Sequence, residues 1–291
     1  MEFEPFYYDT LCFRHNLIVN KQTPDYLYHY TTARGFLGIL QSNEDNYFQM
    51  WASDSRYLND SLEYVGGLKI AEECLNSSQY KLSHLNQQAS NLLKVNNGRI
   101  AVLSMSSKED LLSQWRAYSE NGGYSIKINT DLFKDIDSHC SNNYLAKCIY
   151  SKTELIVKIN NCIEWHNKQF TKSTINCSQE VIDYHLNYCL SGLVGTIRNL
   201  ATLFKHDSFS EESEWRYVVT YPQENKFNIR SANGLLIPYI CLKFPEKSIV
   251  QVTVAPSSRE QLAKCSAEDV LAKYIKNCTA TVQLSDTSFR W

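Results

Sequence analysis

The sequence lacks paired metal ligands. Its ten cysteines (Cys12, Cys74, Cys140, Cys148, Cys162, Cys177, Cys189, Cys241, Cys265 and Cys278) are scattered without a C-x-x-C, and its seven histidines form no H-E-x-x-H. Zinc sites are built from closely spaced ligands, so no metal is expected. Scattered cysteines in a reducing compartment read as buried thiols, not as a disulfide framework. No stretch approaches the roughly 18 apolar residues that a membrane span needs, so no membrane partner is expected. The opening MEFEPFYYDT is acidic and shows no basic region followed by an apolar run. A signal peptide is therefore not expected, and the location is read as cytoplasmic. Positive charge is not in excess either: the net charge is −2 and the pI about 6.4. No global field collects nucleic acid, which leaves only a local patch for that purpose. The phosphate-binding G-x-G-x-x-G is also missing, so no Rossmann-type dinucleotide site is expected.

What is present is a folded chain. It has 291 residues, 43% hydrophobic and 21% charged, with 19 tyrosines and five tryptophans. That is ample for a core and rich in residues that line pockets. Short Val-, Ile- and Tyr-rich runs predict strands at 26–30, 47–53, 99–105, 123–128, 144–150, 214–220, 235–242, 249–255 and 279–284. Helices are predicted at 35–41, 60–75, 108–119, 152–170, 179–204 and 258–277. Capping-box spacing appears at Ser106 with Glu109 and at Ser257 with Glu260. The pattern implies a single α+β domain over 1–291, with a mainly helical insertion at about 152–205.

Four stretches carry candidate chemistry. In YLYHYTTARG, His29 and Thr31 share one strand face just before a helix; the plain alternative is a half-buried histidine bonded to a backbone carbonyl. In WASDSRYLNDSLEY, Asp60 and Glu63 fit a helix start, but a cap does not explain Ser53, Arg56 and Tyr57 in the same turn. In QWRAYSENGGY, Trp115 and Tyr118 lie three apart on a helix, either facing a ligand or packing on the sheet. In EESEWRYVVT, a strand would put Glu212, Glu214 and Arg216 on one face. Two aligned carboxylates repel unless a cation or a hydroxyl-rich ligand meets them, and Arg216 is one such cation. A solvated outer face is the plain alternative here.

Taken together, these motifs resemble the bacterial domain-of-unknown-function family 2971. The resemblance rests on Tyr28-His29-Tyr30-Thr31, Trp51, Asn59-Asp60 with Glu63, Trp115 with Tyr118 and Gly123, Glu212 to Arg216, and Ser285 to Arg290. Two departures are Ser61 after Asn59-Asp60, where the family usually has proline, and the proline-free Ser288-Phe289-Arg290. That family is in turn similar to the ADP-ribosyltransferase fold, which implies a split mixed or antiparallel β-sheet core. By that resemblance, His29, Tyr30 and Thr31 would hold the adenosine ribose of NAD. Trp51, Ser53, Tyr57, Asn59, Trp115, Tyr118 and Arg216 would complete the NAD site. Glu214, with Glu212, would be catalytic.

The chemistry suits these residue types. Breaking the nicotinamide–ribose bond builds positive charge on the ribose, which a nearby carboxylate stabilises. A second carboxylate can activate the acceptor. The resemblance implies a transferase acting on RNA, single-stranded DNA or protein, in the manner of a toxin or anti-phage effector with an antitoxin partner. Arg34, Arg56, Arg116 and Lys205-His206 flank the motifs and, if the sheet gathers those segments as the resemblance implies, would rim the acceptor cleft; the plain alternative is scattered surface charge. The alternatives are an NAD glycohydrolase, an RNA phosphate-removing relative, and an inactive module that binds a nucleotide or a partner protein.

Overall fold

A computed structural model describes residues 13–18, 22–42, 46–58, 61–95, 99–119, 122–136, 143–221, 227–232, 234–276 and 278–287. The strands are β1 (Tyr26–Thr32), β2 (Tyr47–Asp54), β3 (Arg99–Ser106), β4 (Gly123–Asn129), β5 (Asn143–Lys147), β6 (Glu214–Tyr221), β7 (Asn228–Ala232), β8 (Leu235–Pro245), β9 (Ile249–Val254) and β10 (Thr281–Leu284). The helices are α1 (Ala33–Gln41), α2 (Ser61–Ser77), α3 (His84–Lys94), α4 (Leu112–Tyr118), α5 (Lys152–Ser173), α6 (Gln179–Leu203) and α7 (Glu260–Tyr274). The chain divides into two compact units.

One unit, residues 1–20, 55–100 and 148–207, holds α2, α3, α5 and α6. The helical part is thus larger than the expected 152–205. It also takes in α2 and α3, and α3 has no counterpart among the predicted helices. Leu85, Ala89 and Leu93 give α3 a buried stripe at i, i+4, i+8. Between α3 and α5, Asn167 donates to Asn86 Oδ1 at 2.8 Å and accepts from Ser83 Oγ at 2.8 Å. These bonds satisfy buried amides that would otherwise be costly. α2 and α6 approach closely at Gly67, where an added Cβ would come within 2.8 Å of the Ala201 Cα. Gly67→Ala is therefore expected to destabilise this unit by about 1–3 kcal/mol, through overpacking against backbone. Denaturant unfolding followed by helical circular dichroism would measure the loss, and an unchanged midpoint would remove the argument.

The other unit, residues 21–54, 101–147 and 208–291, carries the sheet, with α1, α4 and α7. The fold class is α+β, with an open mixed sheet. Strand order is β10-β9-β4-β1-β3-β2-β8-β7, and β6 branches off to pair with both β3 and β5. β9 and β10 are parallel, while β1–β4, β4–β9, β2–β8, β7–β8 and β5–β6 are antiparallel. Alternation explains the core: Leu27, Ile126, Ile128, Val252 and Val254 pack in one cluster with Phe48, Met50, Trp215, Tyr217, Leu242 and Phe244. Phe133 stands edge-on to Tyr217 and Phe244, at 5.7 and 5.5 Å.

Two predicted caps are used differently. Ser106 ends β3, and α4 begins later, at Leu112, without a side-chain cap. Ser257 accepts from the Arg259 amide at 3.3 Å, two residues on, while α7 starts at Glu260. The expected Asn59-Asp60 helix start and the Ser288–Arg290 close fall outside the described residues, as does the side chain of Glu63. Among the described residues no helix is long and apolar enough to cross a membrane.

Candidate functional site

The sheet opens between β1 and β3. The register joins them at Tyr28↔Ser106, whereas β1 and β4 pair along all of Tyr26–Thr32. Just past that contact, His29 Nδ1 lies 3.1 Å from the Ser104 carbonyl. The ring therefore reaches sideways into the opening and meets the edge of β3, where a ladder bond would otherwise run. Burial lowers the pKa of His29, although the Ser104 carbonyl favours the charged ring. A neutral ring donates Nδ1–H to that carbonyl and keeps Nε2 as an acceptor. Nε2 makes no hydrogen bond to a described residue. The carbonyl-bonded histidine read as the plain alternative is thus realised, and among the described residues it leaves one ring nitrogen unused.

Thr31 lies two residues on, half-buried, and its hydroxyl also makes no hydrogen bond to a described residue. Next to it Thr32 caps α1, accepting from the Gly35 amide at 3.1 Å. A Cβ added at Gly35 would overlap the Thr31 hydroxyl. Gly35 is a residue that the motif reading missed. Its signal was a poor helix former in the first turn, where space and not helix propensity decides the residue.

β3 also fixes the fourth motif. Ser106 Oγ donates to the Glu212 carbonyl at 2.7 Å, and the Ser107 amide donates to the Ser213 carbonyl at 3.1 Å. Ser104, Ser106 and Ser107 were not among the expected site residues, because main-chain and hydroxyl clamps leave little trace in a sequence. Neighbouring strands lie about 4.8 Å apart, so β1 and β6, on either side of β3, have backbones about 10 Å apart.

Glu212 does not share the strand with Glu214. It ends a short 3₁₀ segment, Asp207–Glu212, and Ser213 turns through φ +46° before β6 begins at Glu214. A two-residue strand period cannot be carried through that left-handed residue. Glu214 and Arg216 do share a face, opposite the core residues Trp215 and Tyr217. They are 5% and 2% exposed. Arg216 donates Nε–H to Glu214 Oε1 at 2.8 Å and an Nη2–H to Oε2 at 3.2 Å. The arginine is thus the cation that the carboxylate row required.

The aromatic residues fall elsewhere. Tyr28 and Tyr30 point to the β1 face opposite Leu27, His29 and Thr31, and pack with Trp115 and Tyr118. Trp115 is fully buried, 4.7 Å from the Tyr30 ring. The Tyr30 hydroxyl donates to the Lys108 carbonyl at 2.8 Å and accepts from the Leu111 amide at 3.1 Å. Tyr30 and Trp115 are therefore occupied in seating α4, the packing alternative raised for that helix. Trp51 and Ser53 lie on the β2 face away from Met50 and Ala52, with partners of their own in Tyr239 and Arg230. Tyr57, with Arg56 over its ring at 5.7 Å, belongs to the helical unit, and Asn59 lies outside the described residues. Lys205 is buried, which removes it from any solvent rim, while Arg34 and Arg116 are exposed.

The loop after β3 is also a structural hub. Asp110 accepts from Trp115 Nε1 at 2.5 Å, Ser285 Oγ at 2.6 Å, the Asp286 amide at 2.7 Å and Thr287 Oγ1 at 3.2 Å. Burial raises its pKa, and these four bonds outweigh it, so the carboxyl is held below the usual range. Two open depressions of about 510 and 560 Å³ lie elsewhere, the first around Tyr47, Pro245 and Ile275 and the second along 257–262. Neither includes His29, Thr31 or Glu214. Among the described residues no three His, Cys, Asp or Glu side chains converge as metal ligands.

Residues 114–217 match the family model described as Protein of unknown function (DUF2971). The family reading made from the motifs stands on that segment, which takes in Trp115, Tyr118, Gly123 and Glu212 to Arg216. No curated protein matches the chain. No solved structure matches it either.

Proposed function

We propose that the chain binds NAD at the opening between β1 and β3 and transfers its ADP-ribose to a macromolecular acceptor. The observation that carries this reading is the pair of polar atoms there, His29 Nε2 and Thr31 Oγ1, that make no hydrogen bond to a described residue. An acceptor nitrogen and a hydroxyl two residues apart on one strand face suit the adjacent hydroxyls of a ribose. The Ser104 carbonyl orients the ring before any ligand arrives, which lowers the ordering cost of binding.

Glu214 lies across β3 on the face turned away from the core that Leu27, Trp215 and Tyr217 share, whereas His29 and Thr31 stand on the Leu27 face, so this reading requires NAD to pass over the end of β3 to reach it. The Glu214 carboxylate, paired with Arg216, then stabilises the positive charge that develops on the nicotinamide-bearing ribose. The bond from ribose C1′ to the nicotinamide nitrogen breaks, and its electron pair leaves with nicotinamide. The acceptor nucleophile bonds to C1′ and gives up its proton. Glu212, off the strand and only half-buried, is placed as the base that takes that proton. The acceptor class is nucleic acid or protein, and the cytoplasm is the proposed location.

Removal of either ribose contact tests the site. His29→Ala and Thr31→Ala are each expected to weaken NAD binding by about 1–2 kcal/mol, roughly 5- to 30-fold in Kd. Calorimetry on variants of unchanged melting temperature measures this, and wild-type affinity in both would return His29 to a purely structural role. The pH dependence has a defined sign. The fold favours the neutral ring, so its contribution is complete above the ordinary histidine value of 6.5. Stability should decline as pH falls below that value, and NAD affinity as pH falls further, through the lowered folded value.

One observation favours a second reading. A carboxylate 5% exposed and clamped by a guanidinium suits a module that binds a nucleotide without transferring it. NAD binding without nicotinamide release would select that reading. Release without a labelled macromolecule would select a glycohydrolase.

A further inference from the structure

β2, β8 and β7 form one corner of the sheet, and their face turned away from the core carries a separate arrangement. Trp51 is 45% exposed there and lies against Tyr239, with ring centroids 4.5 Å apart and planes 33° apart. Tyr239 sits opposite Ser53 in the register, and Trp51 opposite Cys241, so the two rings meet diagonally across β2 and β8. Arg230 on β7 donates an Nη2–H to Ser53 Oγ at 3.0 Å, which anchors the guanidinium beside the rings. Its Nε is buried and has no hydrogen-bond partner among the described residues. Lys243 lies on the same β8 face, two residues beyond Cys241. Asp54 is the one carboxylate in the sequence of these three strands. It points into the core, where it accepts from the Tyr221 hydroxyl at 2.6 Å. The outward charges of the three strands are therefore both positive.

We propose that this face binds single-stranded nucleic acid, with a base stacked on Trp51 and phosphates met by Arg230 and Lys243. A half-exposed indole backed by a second ring is a rigid, flat surface that any unpaired base can cover. Duplex bases have no free faces to offer, so the site discriminates by strandedness and not by sequence. The chain as a whole carries a net charge of −2, so attraction comes from these local cations and should be strongly screened by salt.

Fluorescence anisotropy tests the proposal with the full chain, no NAD present, and labelled 20-residue oligothymidine, oligouridine and a duplex of the same length. The single strands are expected to bind more tightly than the duplex. Trp51→Ala should weaken their binding by about tenfold or more, and Trp51→Phe by much less, because a ring is retained. Arg230→Gln and Lys243→Gln should each reduce the slope of log affinity against log salt by about 0.7. Melting curves confirm that each variant is folded. Absence of single-strand binding by the wild type, equal duplex binding, or wild-type affinity in folded Trp51→Ala would each overturn the proposal. The assay uses no NAD, so its failure leaves the ribose-site reading untouched, and failure of that reading leaves this site standing.

Discussion

Glu214→Gln is expected to lower NAD turnover by about 10²-fold or more while NAD still binds. The substitution keeps the shape and an acceptor oxygen but removes the negative charge that would face the developing positive charge on the ribose. It also leaves the guanidinium of Arg216 without this carboxylate, at a position only 2% exposed. Breaking a buried ion pair by removing one partner costs about 3–5 kcal/mol. Loss of activity by itself could then reflect loss of fold. The Glu214→Gln/Arg216→Met double variant is the control, since replacing both members by apolar or neutral groups of similar size is far less costly. A folded double variant without turnover supports the catalytic role. Wild-type turnover in folded Glu214→Gln would remove Glu214 from catalysis, and an inactive Glu212→Gln beside it would move the role to Glu212.

Asp110→Ala is expected to destabilise the sheet unit by about 3 kcal/mol. The carboxylate gathers the indole of fully buried Trp115 and three groups of the 285–287 segment, so its removal orphans several donors at once. The effect depends on pH. The folded carboxyl titrates below its ordinary value of 3.8, so its stabilising contribution is present above that value and lost as pH falls through the folded one. Denaturant midpoints for wild type and Asp110→Ala should therefore differ at pH 7 and draw together only as pH falls below 3.8 and through the lowered folded value. Equal midpoints at pH 7 would show that the 285–287 segment docks without this anchor.

Much of the sheet could be read from the sequence because its strands are short runs of alternating Val, Ile and Tyr. β1, β2, β3, β4, β6 and β9 each lie within a residue or two of the expected spans. β7 was missed. Asn-Ile-Arg-Ser-Ala at an edge buries little and shows no apolar alternation, and only its pairing with β8 makes it a strand. α3 was missed because His84–Lys94 is rich in Asn and Gln, and its Leu-Ala-Leu stripe is narrow. The early start expected for α4 came from Ser106 and Glu109, whose spacing imitates a cap. Ser106 instead clamps the Glu212 carbonyl, a long-range use that local spacing cannot reveal.

The candidate site was legible in the same uneven way. His29 and Thr31 share a face because alternation on a strand is a local rule. The expected row of Glu212, Glu214 and Arg216 was broken by one residue, Ser213 at φ +46°, which no propensity for serine announces. Trp115 and Tyr30 looked like ligand contacts because aromatics are common in pockets, yet tertiary packing uses both to hold α4 on β1. Trp51 was expected in the NAD site, and its neighbours are Tyr239 and the Ser53–Arg230 pair, which only the β2–β8–β7 register brings together.

The central claim is that NAD is bound and cleaved, and the most direct measurement follows both halves of the molecule at once. The purified chain is incubated with NAD labelled in the adenine, together with separate pools of RNA, single-stranded DNA and protein. Free nicotinamide is quantified by chromatography, and the label is followed into each pool. The account predicts nicotinamide release together with label in one macromolecular pool, both lost in Glu214→Gln. Intact NAD in every pool, with no heat of NAD binding to the wild-type chain, would contradict it.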